Sequence, residues 1–169
     1  HAQELAGESE ADKLARIRAE MARLGLDALV LSDSHAVAWT FNIRGADVAH
    51  TPLPLSYALL PKDGAPTIFI DSRKLSNEAR AHLASHADIV GPDALLSTLA
   101  AASNEKAVIG PDGATAADAL SRTITAAGGI ARRLADPVTQ LKAIKNTTSC
   151  SSVVHRPRRS YRLNQTSTQ

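Results

Sequence analysis

Short apolar runs recur along this chain, and between them lie longer segments in which apolar residues keep helical spacing. The runs fall within residues 27–32, 55–61, 67–71, 87–91 and 106–110. The first helical segment places Leu14, Ile17, Met21 and Leu24 on one face. Because strands that are apolar throughout are buried on both faces, helices must cover this sheet from both sides. The alternation predicts an α/β fold.

One pair of runs breaks the simple alternation. Residues 55–61 and 67–71 are joined by "PKDGAP", in which Asp63 and Gly64 form a typical hairpin turn. A hairpin makes that pair antiparallel, whereas strands separated by a helix are usually parallel. The prediction is therefore a mixed β-sheet flanked by helices.

Helix boundaries follow from capping residues. Gly25 ends the first helix, Ser76 caps the helix before the run 87–91, Thr115 begins a helix that ends at Gly128, and Pro137 opens the last one. The predicted helices span 11–24, 34–41, 76–86, 92–103, 115–128 and a segment from 137, and the final predicted strand spans 130–136.

The length fits one domain, and composition divides the chain into three parts. With 169 residues, 44% hydrophobic and only 3% aromatic, the core must be built from aliphatic side chains. Residues 1–10 read as an N-terminal extension, 11–146 as the domain, and 147–169 as an irregular tail rich in Ser, Thr and Arg. The tail begins where periodicity stops.

Charge and cysteine content exclude several classes of protein. Residues 1–146 hold 17 acidic against 15 basic side chains, so the folded part lacks the basic face that nucleic-acid binding requires. No apolar run is long enough to span a membrane, and the polar, acidic start is unlike a signal peptide. With a single cysteine there is no internal disulfide. A cytoplasmic protein is expected.

Standard catalytic signatures are missing from the sequence. There is no Walker A loop, no H-E-x-x-H and no G-x-S-x-G. His82 and His86 lie four apart on a predicted helix and could share a metal, but a surface helix explains them equally well. Cys150 lies in the irregular tail, where no neighbouring base would activate it. The tail arginines fit an uncompensated terminus as well as an anion-binding surface.

The stretch 40–57, "TFNIRGADVAHTPLPLSY", gathers polar side chains of four kinds in one loop. Asn42, Arg44, Asp47 and His50 stand between apolar residues, and two prolines close the run. The Arg44 guanidinium offers paired N–H donors suited to a carboxylate, and Asp47 and His50 could adjust the charge and acidity of a site. Alternatively, the loop satisfies its own backbone, with Asn42 and Asp47 in turns and Arg44 paired to Asp47. A complete active site would also need a nucleophile or a metal.

The same region carries a family resemblance. The strand "DALVL", the helix "VAW", the run "FNIRGADVAHTP", the "SYA" strand, the segment "IFID" and the terminal "LKAIKN" resemble the middle domain of three-domain Xaa-Pro aminopeptidases (aminopeptidase P). The resemblance covers residues 8–146. It implies the creatinase/prolidase N-terminal-type fold, with a ribonuclease H-like motif.

What the resemblance implies about function lies largely outside this chain. In the family, a following catalytic domain uses two Asp, one His and two Glu to hold two divalent metals, often manganese, which activate a water. None of these ligands can be placed here, so no cofactor is expected on this chain. The expected partners are that missing catalytic domain and the peptide substrate, at the cleft or domain interface formed by Asn42, Arg44, Asp47 and His50. A homo-oligomer is also compatible.

The leading interpretation is a non-catalytic domain of an Xaa-Pro aminopeptidase, inactive by itself. A standalone peptide- or protein-binding module or pseudoenzyme of the same fold is the alternative. An enzyme of unknown type that uses His50 and Asp47 is a third interpretation. After Asn146 the sequence departs from the family pattern, and we expect a shifted frame, a truncated gene or a cloning junction there.

Overall fold

The computed structural model describes residues 7–144, which form a six-stranded mixed sheet between two layers of helices. The strand order is β4-β3-β2-β1-β5-β6, where β1 to β6 follow the chain. The strands are Ala28–Leu31, Tyr57–Pro61, Thr67–Phe69, Asp88–Val90, Val108–Pro111 and Ile130–Ala131. Strand β1 runs antiparallel to β2 and parallel to β5, so it joins the two halves of the sheet. The predicted fold class is confirmed.

Within the described part of the chain, six α-helices, numbered α1 to α6 here, connect or flank these strands. They are Glu10–Leu24, Ser34–Thr40, Asn77–Ala84, Leu95–Ala102, Asp118–Ala126 and Pro137–Ala143, with 3₁₀ turns at Ser72–Lys74 and Pro92–Ala94. Among the described residues, no helix is long and apolar enough to cross a membrane.

The period-two pattern of β1 sorts its side chains between two cores. Leu29 and Leu31 face the layer formed by α1, α2, α3 and α6, while Ala28 and Val30 face α4 and α5. All four side chains are at most 5% exposed. Burial of both faces stabilises the sheet by the hydrophobic effect, at about 25 cal/mol per Å² of apolar surface. It also fixes the register, because a one-residue slip would exchange the two sets.

The predicted turns and caps are confirmed where the local signal is strong. Residues Asp63 and Gly64 turn between β2 and β3, and Gly64 adopts a φ of 91°. The Ser76 hydroxyl accepts a hydrogen bond from the Ala79 N–H and so caps α3. Gly25, in the left-handed region, ends α1, and Pro137 is the first residue of α6. Gly128, with a φ of 91°, follows the end of α5.

Two predicted boundaries are wrong. Helix α5 begins at Asp118, not at Thr115, because the Thr115 N–H and hydroxyl both donate to the Asp112 carboxylate and form a separate turn. The final strand covers only Ile130–Ala131 of the predicted 130–136. Strand β6 lies at the edge of the sheet, and beyond Ala131 the pairing is reduced to an isolated bridge between Leu134 and Asp112. Cys150 and the tail 147–169 lie outside the described residues.

Candidate functional site

The stretch after α2 is tied to the first helix through Asn42. This residue has a φ of 49°, which asparagine tolerates better than most residues, and it is only 3% exposed. Its side-chain oxygen accepts a hydrogen bond from the Lys13 ammonium, and its amide nitrogen donates to the Glu8 carbonyl at 3.2 Å. Asn42 thus holds the loop against α1.

Lys13 is the buried cation behind this contact. It is 2% exposed, its Nζ donates to the Trp39 carbonyl at 2.8 Å, and the same atom lies 4.7 Å from the centre of the Trp39 ring. Burial lowers the pKa of Lys13, because the ammonium has lost its water. Two oxygen acceptors and an aromatic face replace part of that hydration.

Asp47 joins the loop to the 3₁₀ turn Ser72–Lys74 and to the loop's own end at Leu55. Its carboxylate accepts hydrogen bonds from the Lys74 Nζ at 2.6 Å and the Leu55 N–H at 2.7 Å. These contacts lower the pKa of Asp47, with the Lys74 ammonium as the larger cause. The alternative prediction that Arg44 pairs with Asp47 is wrong, since Lys74 occupies that place. The sequence offered no sign of it, because Lys74 lies in a later 3₁₀ turn.

Two local features shape the backbone of this loop, namely the close packing of Gly45 against Pro54 and a turn at His50. A Cβ on Gly45 would lie 2.7 Å from the Pro54 Cβ, so only glycine fits there without a shift. Thr51 donates its N–H to the Val48 carbonyl at 3.1 Å, which closes a turn with His50 at a φ of 61°. His50 itself is exposed at the tip of this turn.

A cleft with a volume of about 840 Å³ lies between this loop and helix α3, and it is called the main cleft below. That volume is within the range of small-molecule and peptide sites. One wall consists of residues 43–47 with Pro54, and the other consists of residues 74–76 and α3. Its charged and titratable lining residues are Glu10, Arg44, Asp47, Lys74, Glu78, His82 and His86. Of the four loop residues predicted as a site, Arg44 and Asp47 line the main cleft.

Asn42 and His50 lie elsewhere. Asn42 is buried behind the loop, and His50 is at its outer tip. The structure thus brings two of the four predicted side chains to one surface and gives Asn42 an anchoring contact. Their roles at a cleft or interface stay a prediction.

A second polar group at the main cleft joins α1 to α3. The His82 Nε2 lies 3.1 Å from Glu10 Oε1, and the His86 Nε2 lies 3.9 Å from Glu10 Oε2. Glu10 is 7% exposed, although the sequence assigned it to an N-terminal extension. A usable signal existed, because positions 10, 13, 14, 17 and 21 lie on one helical face. Glu10 and Lys13 are therefore residues that the sequence interpretation missed.

His82 of α3 and His86, just beyond its end, are the nearest approach to a metal site among the described residues. His82 and His86 lie side by side, with ring centroids 5.5 Å apart. Nevertheless, within residues 7–144 no group of three or more His, Cys, Asp or Glu side chains is arranged to hold a metal ion. The two-metal centre that the resemblance implies does not fit these residues, and no catalytic step is derived through it.

Glu10 gives a pH-dependent prediction. Burial raises its pKa, but hydrogen bonds from its own backbone and Asn42, together with His82 and His86, outweigh burial and lower the pKa below its usual value. A lowered folded-state pKa means that stability is present above the unfolded-state pKa and is lost as pH falls through the folded value. From about pH 5 to about pH 3, the melting temperature of Glu10→Gln should fall less than that of the unmodified chain. Thermal unfolding followed by circular dichroism measures this, and equal falls would contradict it.

Several solved structures with this arrangement of sheet and helices are peptidases or N-terminal domains of peptidases. The X-prolyl aminopeptidase of Caenorhabditis elegans, a cytosolic enzyme with a dinuclear active site, matches with a TM-score of 0.78 and 25% identity over 89% of this chain and 25% of its own. The N-terminal domain of the cytoplasmic peptidase PepQ from Mycobacterium tuberculosis matches with a TM-score of 0.62 and 18% identity, over 77% of this chain and 98% of its own. The fold class is thus that of creatinase/prolidase N-terminal domain structures.

The sequence comparisons agree. The creatinase/prolidase N-terminal domain family matches residues 1–149. Two proteins named probable Xaa-Pro aminopeptidase P, from Arthroderma benhamiae and Metarhizium acridum, are 33% and 31% identical over 85% and 89% of this chain. The chain belongs to the creatinase/prolidase N-terminal domain family. It spans only 21% and 26% of the length of these two relatives.

Proposed function

We propose that this chain is the middle, non-catalytic domain of a metal-dependent Xaa-Pro aminopeptidase, which removes the N-terminal residue that precedes proline. One observation carries the proposal: the family match covers residues 1–149, whereas the similar aminopeptidases are about four times as long. The dinuclear centre of the Caenorhabditis elegans enzyme supports a metal-bearing parent, and manganese is the ion we propose. We also propose a cytoplasmic location, in line with that cytosolic enzyme.

In this proposal, the loop that contains Asn42, Arg44, Asp47 and His50 faces the substrate cleft or the catalytic domain. The exposed apolar side chains near it support such an interface. Val48, Leu55 and Tyr57 are 36%, 52% and 38% exposed, and all three belong to this loop or to the strand it enters. Exposed apolar side chains are common at protein contacts. Within this surface, Asn42 positions the backbone, while the other three polar residues present their side chains.

The chain by itself should show no peptidase activity. We expect no release of the first residue when the purified chain is incubated with manganese chloride and an Xaa-Pro tripeptide, because the described residues hold no metal-binding group of side chains. Mass spectrometry of the products measures this, with an active Xaa-Pro aminopeptidase P as the positive control. Release of the first residue that requires manganese and stops with EDTA would overturn the non-catalytic assignment.

The second candidate is a standalone peptide- or protein-binding module. The volume of the main cleft and its mixture of charges favour it. Calorimetry with the same tripeptide separates the two functions. Binding at millimolar or lower concentration by the isolated chain supports the module, and no heat of binding favours a domain that works only beside its catalytic partner.

A further inference from the structure

A smaller basic hollow lies on the other side of the same loop. It has a volume of about 280 Å³, and its lining includes three basic side chains but no acidic one. The basic side chains are His35 of α2, Arg44 of the loop and Lys142 of α6. Trp39, Pro52 and Leu53 supply apolar surface. Three separate parts of the chain therefore bring positive charge to one concavity, called the basic hollow below.

Two of these cations, Arg44 and Lys142, form no salt bridge within residues 7–144, although the Asp33 carboxylate lies near enough to Lys142 to interact with it electrostatically. Arg44 donates from Nη1 to the Ile43 carbonyl at 3.0 Å, and neither it nor Lys142 forms a salt bridge to any described side chain. His35 differs, since its Nδ1 lies 3.1 Å from Asp33 Oδ1. Arg73, within the 3₁₀ turn Ser72–Lys74, is likewise held by Asp71 at 2.6 Å. Arg44 and Lys142 thus keep their hydrogen-bond donors available at the basic hollow.

We propose that the basic hollow binds a carboxylate between Arg44 and Lys142. A planar guanidinium can hold both oxygens of a carboxylate, and a nearby ammonium adds a second charge-assisted hydrogen bond. Apolar walls beside the cations suit a carboxylate with a carbon stem better than a fully hydrated inorganic anion. The volume is below that of most small-molecule sites, so it suits one acidic group rather than a whole peptide.

Arg44 also lines the main cleft, so a carboxylate in the basic hollow lies at the edge of that cleft. Two sources share this chemistry: the C-terminal carboxylate of a short peptide, and an Asp or Glu side chain of a protein. The inference does not rest on the proposed function, since it concerns only the described residues. Its failure would leave the family role unchanged.

Trp39 makes the experiment direct, because it is the only tryptophan of the chain and lines the basic hollow. Its fluorescence is followed while sodium acetate, N-acetylglutamate amide or Gly-Pro-Gly is added at an ionic strength kept constant with sodium chloride. We expect a saturable change with acetate and at least one of the other two, which identifies the source. The C-terminal amide of Gly-Pro-Gly, and sodium chloride alone, should give none.

Variants then test the two cations. Arg44→Gln should weaken acetate binding at least about tenfold, which corresponds to the loss of a charge-assisted pair, and Lys142→Gln should weaken it less. Arg44→Lys keeps the charge but loses the planar guanidinium that can bind both carboxylate oxygens. Its affinity for acetate should therefore lie between those of the unmodified chain and Arg44→Gln. Arg122→Gln is the matched control, because Arg122 pairs with Asp118 on α5, in the opposite helix layer. Circular dichroism checks that each variant is folded.

Three results would overturn the proposal. They are the absence of any saturable response to carboxylates, an unchanged affinity for acetate in Arg44→Gln, and an equal response to the peptide amide. Tighter binding of inorganic phosphate than of acetate would also overturn the choice of a carboxylate.

Discussion

Replacement of Lys13 by methionine should lower the free energy of unfolding by about 2–4 kcal/mol. Methionine keeps the length of the apolar stem but removes the ammonium. The Asn42 side-chain oxygen and the Trp39 carbonyl then lose a donor in a region where water does not replace it. The contact of the ammonium with the Trp39 ring is lost as well.

A competing effect favours the variant. Burial lowers the pKa of Lys13, so removal of its charge relieves a cost of desolvation. We expect the two unsatisfied acceptors to outweigh this relief, because loss of one partner from a buried polar pair is costlier than loss of both. Urea unfolding followed by fluorescence measures the sum.

The matched control for this variant is Lys62→Met. Lys62 forms its salt bridge with Asp27 at 2.7 Å, but its side chain is 60% exposed. Solvent screens such a pair, so a much smaller loss than that of Lys13→Met is expected. Equal stability of Lys13→Met and the unmodified chain would show that desolvation cancels the buried contacts, contrary to the prediction.

Replacement of Gly45 by alanine should cost about 3 kcal/mol. The new Cβ would lie 2.7 Å from the Pro54 Cβ and 2.8 Å from the Pro54 Cα and nitrogen. Two of these three atoms belong to the backbone, so a side-chain rotation cannot relieve the clash. The loop must open between Arg44 and Pro54, which would widen the main cleft on that side.

Gly64→Ala is the control for this second variant. Gly64 has a φ of 91°, yet nothing lies within 4 Å of the position that an alanine Cβ would take. The cost there comes from backbone conformation alone and should be about 1 kcal/mol. Urea unfolding gives both values, and amide chemical shifts of residues 42–55 should change only in Gly45→Ala. A smaller loss for Gly45→Ala than for Gly64→Ala would contradict the steric argument.

Local sequence signals were sufficient for much of the fold. The turn at Asp63 and Gly64, the Ser76 cap and the Pro137 helix start each depend on neighbouring residues, and each is confirmed. Thr115 shows the limit of such signals. A threonine before an apolar helical pattern is a plausible cap, but the Asp112 carboxylate takes both its N–H and its hydroxyl. Thr115 thus belongs to a turn with Asp112 and not to a helix cap, and the helix begins three residues later, at Asp118.

The site was harder to predict because its contacts join distant parts of the chain. One of the two interpretations of the loop paired Arg44 with Asp47, three residues away, whereas Lys74 reaches Asp47 from 27 residues away. Likewise, Glu10 contacts His82 of α3 and the following His86 only because α1 and α3 pack on the same face of the sheet. Helical periodicity could place Glu10 and Lys13 on the buried face of α1. It could not name their partners, which depend on the topology.

Glu10 and Lys13 occupy the first turn of a single helix, yet they hold opposite walls of the main cleft. Glu10 reaches α3, and Lys13 reaches the loop through Asn42. An axial displacement of α1 therefore pulls on both walls together. The position of this one turn thus sets the spacing between the two walls of the cleft.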